Sequence, residues 1–88
     1  MTLILYVKGW CPWCSLATDC LDSLGLHYTV HDVEKDPAAA ERMRSISAQT
    51  RVPTLEVGGA VLADFGPEEV KPFLVAQGIL PNHSDSGK

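Results

Sequence analysis

The feature that most constrains the fold of this chain is the position of two cysteines, Cys11 and Cys14, just after a short apolar run. Residues 3–7 read Leu-Ile-Leu-Tyr-Val, a β-forming run without polar alternation, which is typical of a strand buried on both faces. Pro12 follows Cys11 and suits the first turn of a helix. The cysteine pair is therefore predicted to lie at the junction between a buried strand and the helix that follows it.

The rest of the chain predicts strands and helices in alternation, ending in a hairpin and a helix. The predicted elements after the first strand are a helix from Pro12 to a stop at Gly25, a strand over 27–33, a helix over 38–48 capped by Asp36, strands over 53–57 and 60–63 joined by Gly58-Gly59, and a last helix from Pro67 to Gly78. The first two strands should be parallel with a right-handed crossover, and the last two antiparallel. The predicted fold class is α/β, with the element order β-α-β-α-β-β-α and a four-stranded mixed sheet flanked by three helices. Pro72 should kink the last helix or limit its regularity.

Length and charge narrow the function further. The chain has 88 residues, which we assign to one domain over residues 1–80 and a disordered polar tail over 81–88. The net charge is −4 and the seven basic residues are scattered, so nucleic-acid binding is not expected. The apolar runs are much shorter than the roughly 20 residues of a membrane helix, so we expect no membrane association. With no secretory leader recognised, we expect the reducing cytosol as the compartment. We also expect a monomer.

The cysteine pair indicates redox chemistry. Unpaired N–H groups and the positive end of the helix dipole should favour the thiolate of Cys11, whereas Cys14 lies one turn inside the helix. Because only a thiolate attacks a disulfide, Cys11 is the predicted nucleophile and Cys14 the resolving thiol. The alternative is a structural zinc site, which needs four ligands. The candidates beyond the pair stand at no recognised spacing, so we expect no metal; they are Cys20, His27, His31 and His83.

Over about residues 2–79 the chain resembles the glutaredoxin family. The motifs that carry the resemblance are Cys11-Pro12-Trp13-Cys14, similar to the family's Cys-Pro-Tyr-Cys; Arg51-Val52-Pro53, similar to its Thr-Val-Pro; and the Gly58-Gly59 hairpin followed by Asp64-Phe65-Gly66. The resemblance implies a thioredoxin-like fold with a cis peptide bond before Pro53. It also implies a thiol–disulfide oxidoreductase that reduces protein disulfides or glutathione mixed disulfides.

The resemblance further implies where glutathione, as the reductant, would bind. The residues are Lys8 and Gln49 at the glycine carboxylate, the backbone of Val52 at the cysteine, Trp13 and Pro53 beside the ligand, and Asp64 near the γ-glutamyl end. The chain departs from the family where Arg51 replaces threonine and Gly66 stands at an expected aspartate. Two alternatives stay open. One is a redoxin with weak glutathione binding that is reduced by thioredoxin reductase. The other is a [2Fe–2S] carrier in which two chains share a cluster through Cys11 and glutathione.

Three residues outside the motifs are given structural roles. Cys20 is interpreted as an inert buried thiol, because it shares an apolar helix face with Leu16 and Leu24. Tyr6 is assigned to core packing, and Arg42 to a solvated helix face.

Overall fold

The computed structural model describes residues 2–9 and 11–80. Its elements are β1 (Leu3–Val7), α1 (Pro12–Ser23), β2 (Thr29–Asp32), α2 (Pro37–Ser47), β3 (Thr54–Val57), β4 (Ala60–Ala63), a 3-10 turn (Pro67–Glu69) and α3 (Val70–Ala76). The predicted element order is confirmed. The predicted tail over 81–88, which includes His83, lies outside the described residues.

The four strands form one mixed sheet in the spatial order β2-β1-β3-β4. β1 is parallel to β2, with Leu5 opposite Val30, and antiparallel to β3, with Leu5 also opposite Leu55. β3 and β4 are antiparallel and are joined by the Gly58-Gly59 turn, in which Gly58 has a φ of 59°. Since β1 is a central strand covered on both faces, its continuous apolar sequence is explained.

Alternate residues of β1 serve two separate cores, because side chains along a strand point to opposite faces. Leu3 and Leu5 pack with α1 and α3 in the larger core, which also contains Phe65. Tyr6 packs on the other face against Ala39 and Met43 of α2. The strand that leads to Cys11 is therefore fixed from both sides. Within the described part of the chain, no helix is long and apolar enough to span a bilayer.

The first two helices, α1 and α2, begin at the residues that the sequence predicts. Asp36 caps α2 by accepting the backbone N–H groups of Ala38 and Ala39, and Pro37 occupies the first helical position. α1 begins at Pro12 after Cys11. Gly25 follows α1 with a φ of 72°, a left-handed conformation that glycine adopts without steric cost.

Three local predictions are wrong. Leu16 is 44% exposed, because the buried face of α1 is formed by Cys14, Ala17 and Leu21 instead. The last α-helix begins at Val70 instead of Pro67, because Pro67–Glu69 is a 3-10 turn that leads directly into α3, so Pro72 is the third residue of α3. In this first turn the proline removes no hydrogen bond from within the helix, and the limited regularity predicted for the last helix is present as the 3-10 turn at its start. Finally, β2 is shorter than residues 27–33 and does not include His27.

Candidate active site

Cys11 lies at the N-cap of α1, with extended backbone angles of φ −160° and ψ 107°. Its thiol is half-buried, and the backbone N–H of Cys14 donates a hydrogen bond to its Sγ at 3.2 Å. The sulfur thus occupies the position at which a helix offers unpaired N–H groups and the positive end of its dipole. Reactive cysteines in proteins are commonly found at such helix N-termini.

Cys14 has the opposite environment, one turn into the helix. Its side chain is only 5% exposed. The pKa of Cys14 is raised from 9.0 to about 12, mainly by burial and also by the hydrogen bond and charge of the neighbouring Cys11, against the lowering effect of Lys8. Cys14 therefore keeps its proton at neutral pH while Cys11 is reduced.

An open pocket of about 170 Å³ lies on one side of the two cysteines. Its lining is formed by Val7, Lys8, Gly9, Cys11, Cys14, Ser15, Thr18 and Val30. The backbone N–H of Gly9 donates to Glu34 Oε1 at 3.2 Å, which ties the loop before Cys11 to the turn after β2. Lys8 is exposed and is the only one of the predicted glutathione contacts in this pocket.

A second pocket, of about 190 Å³, begins at Trp13 between the two cysteines. It is lined by Trp13, Pro53, Asp64, Phe65, Gly66 and Glu68. The structure thus brings three of the predicted contact residues together: Trp13, which is 54% exposed, Pro53 and Asp64. The Val52–Pro53 bond is cis, as the resemblance implied. The side chain of Val52 packs away from this pocket, against the core beneath α2.

Asp64 is held in place from two directions. Its backbone has a φ of 52°, a left-handed conformation that aspartate tolerates better than most residues, and its N–H donates to Pro53 O at 3.0 Å. Its Oδ2 lies 3.0 Å from a guanidinium nitrogen of Arg51. The ion pair bridges the segment before Pro53 and the loop after β4, and nothing in the sequence pattern indicated it.

Gln49 uses its side-chain amide within its own loop. Its Nε2 donates to Ser47 Oγ at 2.9 Å, to Thr54 Oγ1 at 3.1 Å and to the Arg51 carbonyl at 3.3 Å. Its Oε1 accepts the Arg51 backbone N–H at 2.6 Å. Gln49 thus braces the turn that leads to Pro53, and it lines neither of the two pockets beside the cysteines.

A buried polar network lies on the α2 face of the sheet. Glu56, 5% exposed, accepts the Tyr6 hydroxyl at 2.7 Å and Arg42 at 2.6 Å, while the His31 ring stacks on Tyr6 with centroids 5.9 Å apart. Arg42 is exposed, as predicted for a solvated helix face, and its guanidinium also reaches the buried carboxylate of Glu56. Its guanidinium lowers the pKa of Glu56, against the raising effect of burial. A glutamate within a central strand was the one available signal of this network.

Cys20 stays apart from this site. It is half-buried at the edge of the larger core, with its Sγ 4.0 Å from the Pro67 carbonyl, so it is less enclosed than predicted. No group of three or more potential metal ligands gathers within residues 2–9 and 11–80.

Known proteins resemble this chain in sequence and in fold. Residues 3–62 match the family model described as Glutaredoxin. An uncharacterized glutaredoxin-like 8.6 kDa protein in the rubredoxin operon of Clostridium pasteurianum is 30% identical over 66 residues, which make up 75% of this chain and 88% of that protein. The crystal structure of the thioredoxin-like protein BC3987 is similar with a TM-score of 0.77 and 29% identity, covering 83% of this chain and 100% of that one. NrdH-redoxin from Escherichia coli, at 21% identity, shares the fold with a TM-score of 0.71 over 82% of this chain and 93% of that one.

Proposed function

Because the chain belongs to the glutaredoxin family, we propose that it is a thiol–disulfide oxidoreductase with Cys11 as nucleophile and Cys14 as resolving thiol. The observation that carries this proposal is the contrast between the two sulfurs. Cys11 is half-exposed at a helix N-terminus and accepts an N–H, whereas Cys14 is buried with its pKa raised to about 12. Cys11 is therefore accessible for the first attack on a substrate disulfide, whereas Cys14 stays protonated until the second exchange.

The reaction runs in two exchanges. The Cys11 thiolate attacks one sulfur of a substrate disulfide, forming a mixed disulfide and releasing the other substrate sulfur as a thiolate, which takes a proton from solvent. Cys14 then loses its proton and attacks Cys11 Sγ, forming the Cys11–Cys14 disulfide and releasing the second substrate thiolate. The substrate gains two electrons and the protein loses two. An external thiol reductant restores the dithiol.

The environment of Cys14 changes between the two exchanges. Once Cys11 is in a mixed disulfide it carries no charge, so the contributions of Cys11 to the raised pKa of Cys14 are removed. The lowering effect of Lys8 remains. Cys14 is thus easier to deprotonate at the point where it is needed.

Single-turnover oxidation of the reduced protein tests this assignment. Cys11→Ser should abolish reduction of a protein disulfide, and Cys14→Ser should stop the reaction at a mixed disulfide on Cys11, visible as a mass increase. Cys20→Ser is the matched control, since Cys20 contacts neither pocket, and should react like the natural sequence. Full activity of Cys11→Ser would refute the proposal.

Glutathione and thioredoxin reductase are the two proposed electron donors. Trp13, Pro53 and Asp64 share a pocket that suits a small thiol, which supports glutathione. The second candidate, thioredoxin reductase, is favoured by the engagement of Gln49 in its loop and of Asp64 with Arg51. The experiment that decides between them supplies the oxidised protein either with glutathione plus glutathione reductase or with thioredoxin reductase. The readout is the rate of NADPH loss in each case. A cytosolic location stays a prediction from the sequence.

A further inference from the structure

We propose that Arg51 sets the charge selectivity of the pocket beside Trp13, so that the protein discriminates against disulfides that carry an ammonium group near the reacting sulfur. This inference rests on the proposed disulfide exchange and names the class of substrate that the exchange favours. The residue acts through its ion pair with Asp64, at 3.0 Å.

The Arg51–Asp64 ion pair can influence substrate choice because Asp64 lies beside the active-site Trp13. Asp64 lines the pocket together with Trp13 and Pro53, and its backbone N–H donates a 3.0 Å hydrogen bond to the Pro53 carbonyl. A free carboxylate here would attract a substrate cation. Because Arg51 already holds the carboxylate, an incoming ammonium group must displace the guanidinium or share its partner, and it is also repelled by the guanidinium charge.

Glu68 is the second acidic residue that lines the pocket, and its charge keeps the pocket negative even when Arg51 neutralises Asp64. It is exposed, and a Cβ at residue 66 would meet its Oε1 at 2.7 Å, so Gly66 leaves room for this carboxylate at the pocket wall. With Arg51 present, the three charged groups at the pocket sum to −1. Without it they sum to −2, which favours cations more strongly.

The expected effect is modest, because both partners are accessible to solvent. The side chain of Arg51 is 76% exposed and that of Asp64 47% exposed. Exposed pairs of this kind change an equilibrium by about two- to fivefold. Losing Arg51 should therefore raise reactivity toward a cationic disulfide by about two- to fivefold relative to a neutral one.

Two small disulfides of similar size provide the test: cystamine, which carries two ammonium groups, and bis(2-hydroxyethyl) disulfide, which carries none. Each is mixed with the reduced protein, and formation of the Cys11–Cys14 disulfide is followed by mass after acid quenching. In this reaction one disulfide and the protein dithiol give two small thiols and the protein disulfide. The readout is the ratio of the two second-order rate constants, which cancels a general loss of reactivity and needs no electron donor.

Arg51→Thr should raise the ratio of cystamine to hydroxyethyl disulfide by about two- to fivefold. Arg51→Thr combined with Asp64→Asn restores the net pocket charge of −1 and should return the ratio to its original value. Lys35→Thr is the matched control, since it removes one positive charge in the turn after β2, at the opposite edge of the sheet from β4, and it should leave the ratio unchanged. The difference between Arg51→Thr and the natural sequence should shrink in 0.5 M salt, where the screening length falls to about 4 Å.

An unchanged ratio in Arg51→Thr, or a ratio in the double variant equal to that of Arg51→Thr, would overturn the inference. So would a difference that 0.5 M salt leaves intact. Failure of the proposed function itself has a different signature, because the natural sequence would then oxidise with neither disulfide.

Discussion

The contrast between the two active-site sulfurs gives a quantitative prediction for alkylation. At pH 7, a thiol with a pKa of about 12 has a thiolate fraction of about 10⁻⁵, against about 3% for an ordinary cysteine. The thiolate of a thiol with a higher pKa is intrinsically more nucleophilic, and over this difference in pKa its rate constant is higher by about 40-fold. This gain offsets part of the lower thiolate fraction. Native Cys14 should therefore react with iodoacetamide about 100-fold more slowly than the same residue in the unfolded chain, even before its burial shields it.

The assay is alkylation of the reduced protein followed by peptide mass analysis. Initial rates are taken at Cys11, Cys14 and Cys20, first in the native state and then in guanidinium chloride, where all three should react alike. Initial rates are essential, because alkylation of Cys11 removes its contribution to the pKa of Cys14. For the same reason, Cys11→Ser should accelerate the reaction of native Cys14.

A native Cys14 that reacts within about threefold of its unfolded rate would contradict this reasoning, since the expected slowing is about 100-fold. An equal rate at Cys14 in the natural sequence and in Cys11→Ser would separately refute the coupling between the two sulfurs.

Three further predictions concern stability. Tyr6→Phe should lower the free energy of unfolding by about 1.5–3 kcal/mol in urea titrations, because it removes a hydrogen bond to the buried Glu56 carboxylate; a change below about 0.5 kcal/mol would contradict this. Asp36→Ala should cost about 1 kcal/mol by the same measurement, since it removes the N-cap of α2, while Asp36→Asn should retain most of that stability. In alkaline solution the reduced protein should lose stability as the pH rises above about 9, by up to about 1.4 kcal/mol per pH unit for each group that is protonated only in the folded state. Cys14 has its pKa raised from 9.0 to about 12 and Tyr6 from 10.0 to about 12, so the unfolded chain releases protons that the folded one keeps. A flat stability between pH 9 and 11 would contradict that sign.

The element order and the position of the cysteines could be predicted because their signals are local. The apolar run of β1, the Asp36-Pro37 start of α2 and the Gly58-Gly59 turn each depend on a few neighbouring residues. The error at Leu16 has a local origin too. An apolar residue within an amphipathic helix does not reveal whether it lies on the packed face or at its edge.

The polar details of the site could not be predicted, because they depend on residues that are distant in sequence. Asp64 and Arg51 are 13 residues apart, and Tyr6 and Glu56 are 50 residues apart. Gln49 shows a second limit. The role in binding that the resemblance implies for Gln49 stays a prediction, whereas its three donor contacts to Ser47, Arg51 and Thr54 come from turn geometry that the motif does not encode.

Because β1 and β3 are antiparallel, the cysteine pair and the Gly58-Gly59 turn lie at opposite ends of the sheet. Cys11 follows the carboxyl end of β1, and Thr54 at the start of β3 lies opposite Tyr6 at that same end. The Gly58-Gly59 turn after Val57 is therefore at the opposite pole, with both glycines exposed. Exposed turns of this kind accept insertions. A fluorophore or affinity tag placed between Gly58 and Gly59 would be attached to the β3–β4 hairpin, and it would leave the end of the molecule that carries Cys11 and Cys14 free for substrates.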